Sequence, residues 1–399
     1  MTGRTLAPGR PSAAHAGLMT LGVMGGGQLG RMFVHAAQQL GFRTAVLDPD
    51  SDSPAGRVCH HHVRSGYEDA AGLAELVGLC DAVTTEFENV PAAALRTLAL
   101  SRPVAPQADA VAIAQDRVRE KQHFERCAAS NGVTVAPWFS VGSATDAISA
   151  PGKLFPGILK TAVMGYDGKG QVRVDKAQAL PAAWQQLGAV PCVLEHKLAL
   201  VAECSVIVAR GHDGCMVHLP PQRNLHRDGI LAVTEVHEKI LPARLAQQAI
   251  DAAKSIAEGL AYVGVLCVEF FVLSDGSLVV NEMAPRPHNS GHYSIDACDH
   301  SQFDLQVLTL AGLPLPQPRL HSPAVMLNLL GDVWLDAAQP GAPDWSSVLA
   351  LPGAHLHLYG KADARRGRKM GHLTFTASDF AQARTRAQQA AALLGLPPF

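Results

Sequence analysis

Glu269 and Glu282 are the pair whose type and spacing most directly specify chemistry. They lie in GVLCVEFFVLSDGSLVVNEMAPRPHNSGH, Gly264 to His292. Two apolar runs, VLCVEFFVL and SLVVN, flank Ser-Asp-Gly-Ser, and Asp-Gly between alternating hydrophobics is a strong hairpin signal. With Asp275 and Gly276 as the two loop residues, Ser274 pairs with Ser277 and Glu269 falls directly opposite Glu282. Directly opposed side chains have Cβ atoms roughly 4.5–5.5 Å apart, and like charges there are destabilising. The pair therefore asks for a cation, and one or two carboxylates completed by phosphate oxygens commonly hold Mg²⁺. The bland alternative is a solvated face with two unrelated acids, or a bulge that spoils the register. Arg286, His288 and His292 follow among Pro285, Pro287, Asn289 and Gly291, a rigid cationic turn suited to an anion or substrate.

Three other stretches carry chemistry. Gly25-x-Gly27-x-x-Gly30 satisfies the dinucleotide fingerprint, and Asp48 ends the next strand where a ribose partner is expected. Its physical content is narrower: glycines let amides at a helix N-terminus approach an anion, so any phosphate-bearing ligand would do. Gln28 adds a side-chain donor. Lys160 ends the strand GILKT, and GYDGKGQ follows. A strand lysine beside a Gly-rich, Lys-containing loop is one way to cover nucleotide phosphates, though a flexible hairpin is the simpler reading. No G-x-x-x-x-G-K-[ST] occurs, so an ATP site here belongs to another fold. KADARRGRKMGH, from Lys361, is a basic turn in a sparsely charged chain, read as a phosphate site or a solvated surface.

The elements that must position these groups read as alternating strands and helices. LMTLGVM, a glycine turn, a helix carrying Leu29, Phe33, Ala36 and Leu40, and FRTAVLD form a strand–helix–strand unit. A later helix and strand deliver the loop with Glu86, Glu88 and Asn89, beyond a strand's carboxyl end and near the glycine turn. Gln115 to Ser130 is a charged amphipathic helix whose Arg117, Arg119 and Lys121 read as solvated. Further strands bring Glu195 and Glu203 to their ends, and His226 falls in the polar turn RNLHRDG. Leu241 to Leu260 is a helix leading into the hairpin, and an Ala-rich helix closes the chain.

At 399 residues the chain exceeds one ordinary core. Its 48% hydrophobic and 17% charged residues indicate globular folding, and a net charge of −2 gives no basic domain for nucleic acid. No apolar run approaches the roughly 20 residues of a membrane span. Residues 1–17, rich in Ala, Pro, Gly and Arg, read as a disordered tail without the apolar core of a secretory signal. Eight cysteines are scattered without a C-x-x-C pair, which suits buried free thiols in a reducing cytoplasm. His60-His61-His62 is read as a solvated loop or strand end rather than a metal tract.

Taken together, GGGQLGRM, LDPDSDSPA, TEFENV, QDRVREK, ILKT with GYDGKGQ, SVIVARG, HRDGIL, VNEMAPRPHNSGHYSIDAC, and HLYGK with GRKMGH resemble the N5-carboxyaminoimidazole ribonucleotide synthetases. These are ATP-grasp ligases of purine biosynthesis, and the similarity runs from about Leu18 to Leu396. The resemblance implies an α/β fold with three parts: a Rossmann-like N-terminal domain (18–115), a small α+β lid (116–198) and a C-terminal α+β ATP-grasp domain with a basic substrate-binding end (199–399). It implies ATP and Mg²⁺ as cofactors, 5-aminoimidazole ribonucleotide and bicarbonate as substrates, a cytoplasmic homodimer, and neither nucleic acid nor membrane as partner. By motif, Arg117, Lys160, the loop Gly165, Tyr166, Asp167, Gly168, Lys169, Gly170 and Gln171, and Glu195, Leu198, Glu203 and His226 would contact ATP. Asn281 and Glu282 would lie at its phosphates, with Glu269 and Glu282 holding Mg²⁺. Arg286 and His288 would act at the bicarbonate and aminoimidazole site. Lys361 would join them in the reacting centre and, with Arg368, bind the ribonucleotide phosphate. Gln28, Glu86 and Tyr166 are further substrate contacts.

The sequence departs from that pattern at Ala162-Val163-Met164, at Arg223 and at Ala284, where other ATP-grasp enzymes place a metal-binding Asn. The last leaves two carboxylates for the metal. A nicotinamide-dependent dehydrogenase accounts for the glycine fingerprint and Asp48 but leaves GYDGKGQ, the opposed glutamates and the basic turn without work. A catalytically silent member of the same fold would need losses among Lys160, Glu269, Glu282, Arg286, His288 or Lys361, and all are present. A related ATP-grasp enzyme that uses formate is the nearest enzymatic rival.

Overall fold

The computed structural model describes residues 5–163, 170–337 and 343–399. Near the start, four parallel strands lie in the order His61–Val63, Arg43–Leu47, Thr20–Met24 and Ala82–Thr85. Thr20–Met24 is buried throughout, as a parallel strand covered on both faces must be. The helix Gln28–Gln39 turns Leu29, Phe33, Val34 and Ala37 inward, where they share a core with Phe303, Val307 and Leu310 of the helix Gln302–Ala311. That packing fixes the glycine turn against the rest of the molecule. Residues 5–17, expected as a disordered tail, are packed instead. Leu6 is buried and its amide donates to the Ala311 carbonyl at 2.8 Å. The Ser12 hydroxyl donates to Asp81 at 2.6 Å. Pro and Gly disfavour regular elements, but they do not prevent an irregular segment from packing.

The largest sheet has ten strands. Its main path runs Ala354–Leu358, Lys369–Thr376, Ala324–Leu330, Ile230–Val236, Gln222–Arg227, Leu200–Arg210, Gly264–Leu273, Leu278–Ala284 and Thr134–Val135. His226 therefore sits in a strand and not in a turn. The helix Ala243–Gly259 covers one face with Ala249, Ala253 and Ile256, and Phe124 and Cys127 of the helix Arg117–Asn131 join the same core. That second helix packs with the large sheet, so the smaller body begins after it rather than at residue 116. The smaller body is a four-stranded antiparallel sheet in the order Trp138–Val141, Cys192–His196, Gly157–Thr161 and Gln171–Val174, with its own core around Leu159, Trp184 and Leu194.

The central hairpin reaches its register by an unexpected route. The Leu273 amide bonds the Ser277 carbonyl, and Val272 pairs with Leu278, so the loop is Ser274, Asp275 and Gly276. Gly276 takes φ +77°, as the glycine of a three-residue hairpin loop does. A bulge between Glu269 and Phe270 on the pairing then restores Glu269 opposite Glu282. The longer loop and the bulge cancel. The bulge also lets the adjacent Asn281 and Glu282 both face the central cavity, which strict alternation along a strand would forbid.

Candidate active site

A cavity of about 660 Å³ lies where the three sheets meet, within the usual size of a small-molecule site. Gln28, Glu86 and Glu88 reach it from the N-terminal body, Lys160 and Gln171 from the smaller sheet, and the hairpin carboxylates from the large sheet. Glu269 and Glu282 face each other there. Burial, and then the neighbouring Glu282, raise the Glu269 carboxyl to about 7. His288 Nε2 stands 3.1 Å from Glu269, and Arg117 Nη1 donates to Glu282 at 3.2 Å. Two opposed carboxylates, Glu269 buried and Glu282 partly exposed beside Arg117, fit a hard divalent ion.

Lys160 Nζ donates to Glu195 at 2.9 Å. The other Glu195 oxygen meets Lys121 Nζ at 3.0 Å. Burial would raise the Glu195 carboxyl, but Lys160 and Lys121 together draw it down to about 2. Glu195 thus sits behind the cavity wall and holds the lysine that forms it. Glu203 and His226 are paired at 2.8 Å. Burial lowers the His226 imidazole, but the adjacent Glu203 carboxylate and the charge of Glu269 carry it above its ordinary value. Gly170 and Gln171 line the cavity, while Gly165, Tyr166, Asp167, Gly168 and Lys169 lie outside the described residues. Leu198 is half-buried and is not among the cavity-lining residues, although nearby Leu200 is.

On the opposite side, Arg286 Nε donates to Glu88, joining the large sheet to the N-terminal body. Burial would raise Glu88, yet the Arg286 guanidinium pulls it down to about 2. His288 is pushed well below its usual value by burial, then by Arg286 and Lys369, and is held as a neutral imidazole. The glycine turn already has its anion. Glu86 accepts from the Gly27 amide at 2.6 Å and the Gly30 amide at 2.7 Å, filling the helix N-terminus. Asp48 accepts from the Gly26 amide and the Tyr67 hydroxyl, both at 2.6 Å, so it serves the protein's own backbone rather than a ribose. Within the basic turn, Lys369 lines the cavity. Lys361 Nζ donates to the Lys369 carbonyl at 2.7 Å and Arg368 Nη1 to the Asp363 carbonyl at 2.8 Å, which places both just outside it.

Three residues of the site went unassigned in the sequence. Lys121 read as solvated and is 1% exposed. Glu120 accepts from the Met283 amide at 2.8 Å beside the bulge, and burial raises its carboxyl to about 8. Asn289 lines the cavity with both polar side-chain atoms buried and without a protein partner. Lys121 and Glu120 occur in a helix too polar for its periodicity to reveal them. Asn289 stands in the cationic turn already singled out, which was its one signal. A second cluster, Asp296, His357 and His372, gathers donor atoms within 4.8 Å. The two imidazoles there stack at 4.5 Å with 15° between their planes. One ion cannot lie in two parallel, separated ring planes, so this cluster is packing between the C-terminal strands and residues 294–297.

Comparison with known proteins finds matches along most of the chain. A model of the ribonucleotide synthetase preATP-grasp domain matches residues 18–115, one of the ATP-grasp domain matches 126–303, and one of the phosphoribosylaminoimidazole carboxylase C-terminal domain matches 324–386. The N5-carboxyaminoimidazole ribonucleotide synthase of Brucella melitensis biotype 1 is 43% identical over 363 residues, spanning 89% of this chain and 95% of that protein. That of Staphylococcus aureus strain COL is 40% identical over 370 residues, spanning 91% and 94%. Among solved structures, the ADP complex of an N5-carboxyaminoimidazole ribonucleotide synthetase superposes with TM-score 0.87 at 36% identity, covering 97% of each chain. The Aspergillus clavatus enzyme with ADP and 5-aminoimidazole ribonucleotide gives 0.84 at 31%, covering 94% of this chain and 98% of that one. The chain belongs to the N5-carboxyaminoimidazole ribonucleotide synthase family of ATP-grasp ligases.

Proposed function

We propose that this protein uses ATP and bicarbonate to carboxylate the exocyclic amine of 5-aminoimidazole ribonucleotide, releasing ADP and phosphate. The observation that carries this reading is the meeting, in one cavity, of the opposed Glu269 and Glu282 with Arg117, Lys160, Arg286, His288 and Lys369. Bicarbonate is a poor electrophile. Transfer of the γ-phosphoryl group to one of its oxygens makes carboxyphosphate, whose carbon, as such or as released CO₂, is taken by the amine while phosphate leaves. Phosphoryl transfer needs charge neutralisation and alignment more than covalent help. Mg²⁺ held by Glu269 and Glu282 would supply part of that neutralisation. Arg117 and Lys160 bind the nucleotide phosphates. Arg286, kept in place by Glu88, orients bicarbonate, and His288 acts beside it at the bicarbonate and aminoimidazole site. Lys361, Arg368 and Lys369 bind the ribonucleotide phosphate at the rim, with Gln28 and Glu86 toward its sugar.

Carboxyphosphate hydrolyses readily, so water must be excluded while it exists. The glycine loop 165–170 is suited to that task by its sequence. The eight cysteines are free thiols, which accords with a reducing cytoplasm. Among the described residues no helix is long and apolar enough to cross a membrane. The family resemblance implies a homodimer, which light scattering of the purified protein measures directly. The activity test is ADP release with MgATP and bicarbonate, with and without 5-aminoimidazole ribonucleotide. The expected result is strong stimulation with consumption of that substrate. ATP turnover indifferent to it would refute the proposed acceptor.

A further inference from the structure

Lys121 has no place in the chemistry described so far. It is charged in type, 1% exposed, and outside the cavity lining. A lysine is almost never fully buried unless paired, and its partner here is Glu195 at 3.0 Å. Glu195 is shared. Its other oxygen receives Lys160 at 2.9 Å, and Lys160 does line the cavity. The three groups form a row with two ammonium ions and one carboxylate. If Lys160 and Glu195 stood alone, their charges would cancel, and the cavity wall would offer an incoming polyanion almost nothing. Moving Lys160 toward a phosphate would also strand a buried carboxylate, which is costly. With Lys121 behind it, the carboxylate is already neutralised.

We propose that Lys121 is a positioning residue for the nucleotide: it carries Glu195, so that Lys160 presents a net positive charge to the ATP phosphates. The inference rests on the reading of Lys160 as a phosphate contact. Lys121 touches no substrate and acts only through the shared carboxylate.

The test is a charge-balance cycle on the full-length protein, read as the ATP dissociation constant by calorimetric titration and as separate Michaelis constants. Lys121→Met keeps the length of the stem and removes the charge. It should weaken ATP binding roughly tenfold, the scale expected for one charge acting near a partly buried site. The ribonucleotide KM should stay within about twofold, because that end of the cavity has its own cations. Adding Glu195→Gln to Lys121→Met removes the carboxylate that now cancels Lys160, and ATP affinity should return to within about threefold of the original. Lys121→Arg should bind ATP nearly as well as the unaltered protein. A merely structural role predicts the reverse, since a second buried substitution would add damage rather than repair it. ATP binding unchanged in Lys121→Met, or unrepaired in the folded double variant, overturns the inference. Lys160→Met separates the two readings. If it leaves ATP affinity intact, the phosphate role of Lys160 itself is wrong. If it abolishes affinity while the double variant stays weak, only the role of Lys121 is wrong.

Discussion

Glu88→Gln tests the joint between the N-terminal body and the reacting centre. Glu88 lies on the loop after the strand Ala82–Thr85 and accepts from Arg286 in the turn after the hairpin. Its carboxyl is drawn to about 2 by that guanidinium, against the burial that would raise it. An unfolded glutamate titrates near 4.3, so the shift is roughly two units, or roughly 3 kcal/mol at full value. Solvent reaches 30% of the Glu88 side chain. Screening therefore reduces the expected contribution to about 1–2 kcal/mol. The sign follows from the lowered folded value. The contribution is fully present above roughly pH 4.3 and is lost as pH falls toward about 2. Glutamine keeps the shape and one acceptor but leaves Arg286, 15% exposed, without its counter-charge. Urea unfolding near pH 7 should show Glu88→Gln less stable by about that amount, with the gap to the unaltered protein narrowing below about pH 4. Because Arg286 would lose its fixed orientation, kcat/KM for the ribonucleotide should fall by about one to two orders of magnitude, with KM for ATP within about twofold. Unchanged stability and unchanged kcat/KM together would refute the reasoning, as would a stability loss equal at all pH values.

Glu282→Gln should abolish ATP hydrolysis while leaving the circular dichroism spectrum intact, and an active variant would end the metal assignment. Lys361→Ala should raise the ribonucleotide KM far more than the ATP KM; Lys369→Met, which removes the basic turn's cavity-lining cation, should raise it further. An equal effect on both substrates would contradict the placement of the turn at the ribonucleotide. Gly27→Ala introduces a Cβ 2.4 Å from Glu86 Oε1, at a backbone φ of −74° that any residue adopts. The carboxylate must then leave the helix N-terminus, and stability to urea should drop by about 1–2 kcal/mol. No drop would show that the Glu86 contacts contribute little.

Legibility in the sequence followed physical range. Local alternation found the hairpin, and the opposition of Glu269 and Glu282 came out right although two departures from the simple route cancelled on the way. A glycine in the loop announces positive φ, but nothing local announces that Asn281 will be the extra residue of a bulge. The glycine fingerprint was read correctly as an anion-receiving helix start. Its anion was missed although the Glu86 loop had been placed near the turn, because the same amides satisfy a carboxylate or a bound phosphate and nothing local chooses between them. Lys121 was misread for the same reason: in a charged helix, periodicity cannot say which polar residue has a buried partner on another sheet. The ordered course of residues 5–17 depends on Leu6 meeting Ala311, which no local pattern specifies.

Those long-range pairs also impose an asymmetry on the site. Arg117 is held by Glu282, Arg286 by Glu88 and Lys160 by Glu195. The first two are single pairs between residues separated by 165 and 198 positions, and each is close to neutral as it stands. For Arg117 to serve an anion, Glu282 must take another cation. Anion binding on that side is therefore coupled to cation binding at the hairpin carboxylates, and each should strengthen the other. Lys160 needs no such exchange, because Lys121 already holds its carboxylate. The smaller sheet can thus offer charge to the nucleotide before the hairpin is occupied. It follows that ATP without a divalent ion should still bind, weakly, through Lys160, and that Lys121→Met should weaken this metal-independent binding at least as much as binding with Mg²⁺. If removing the divalent ion abolished all dependence on Lys121, the two halves of the site would not be separable in this way.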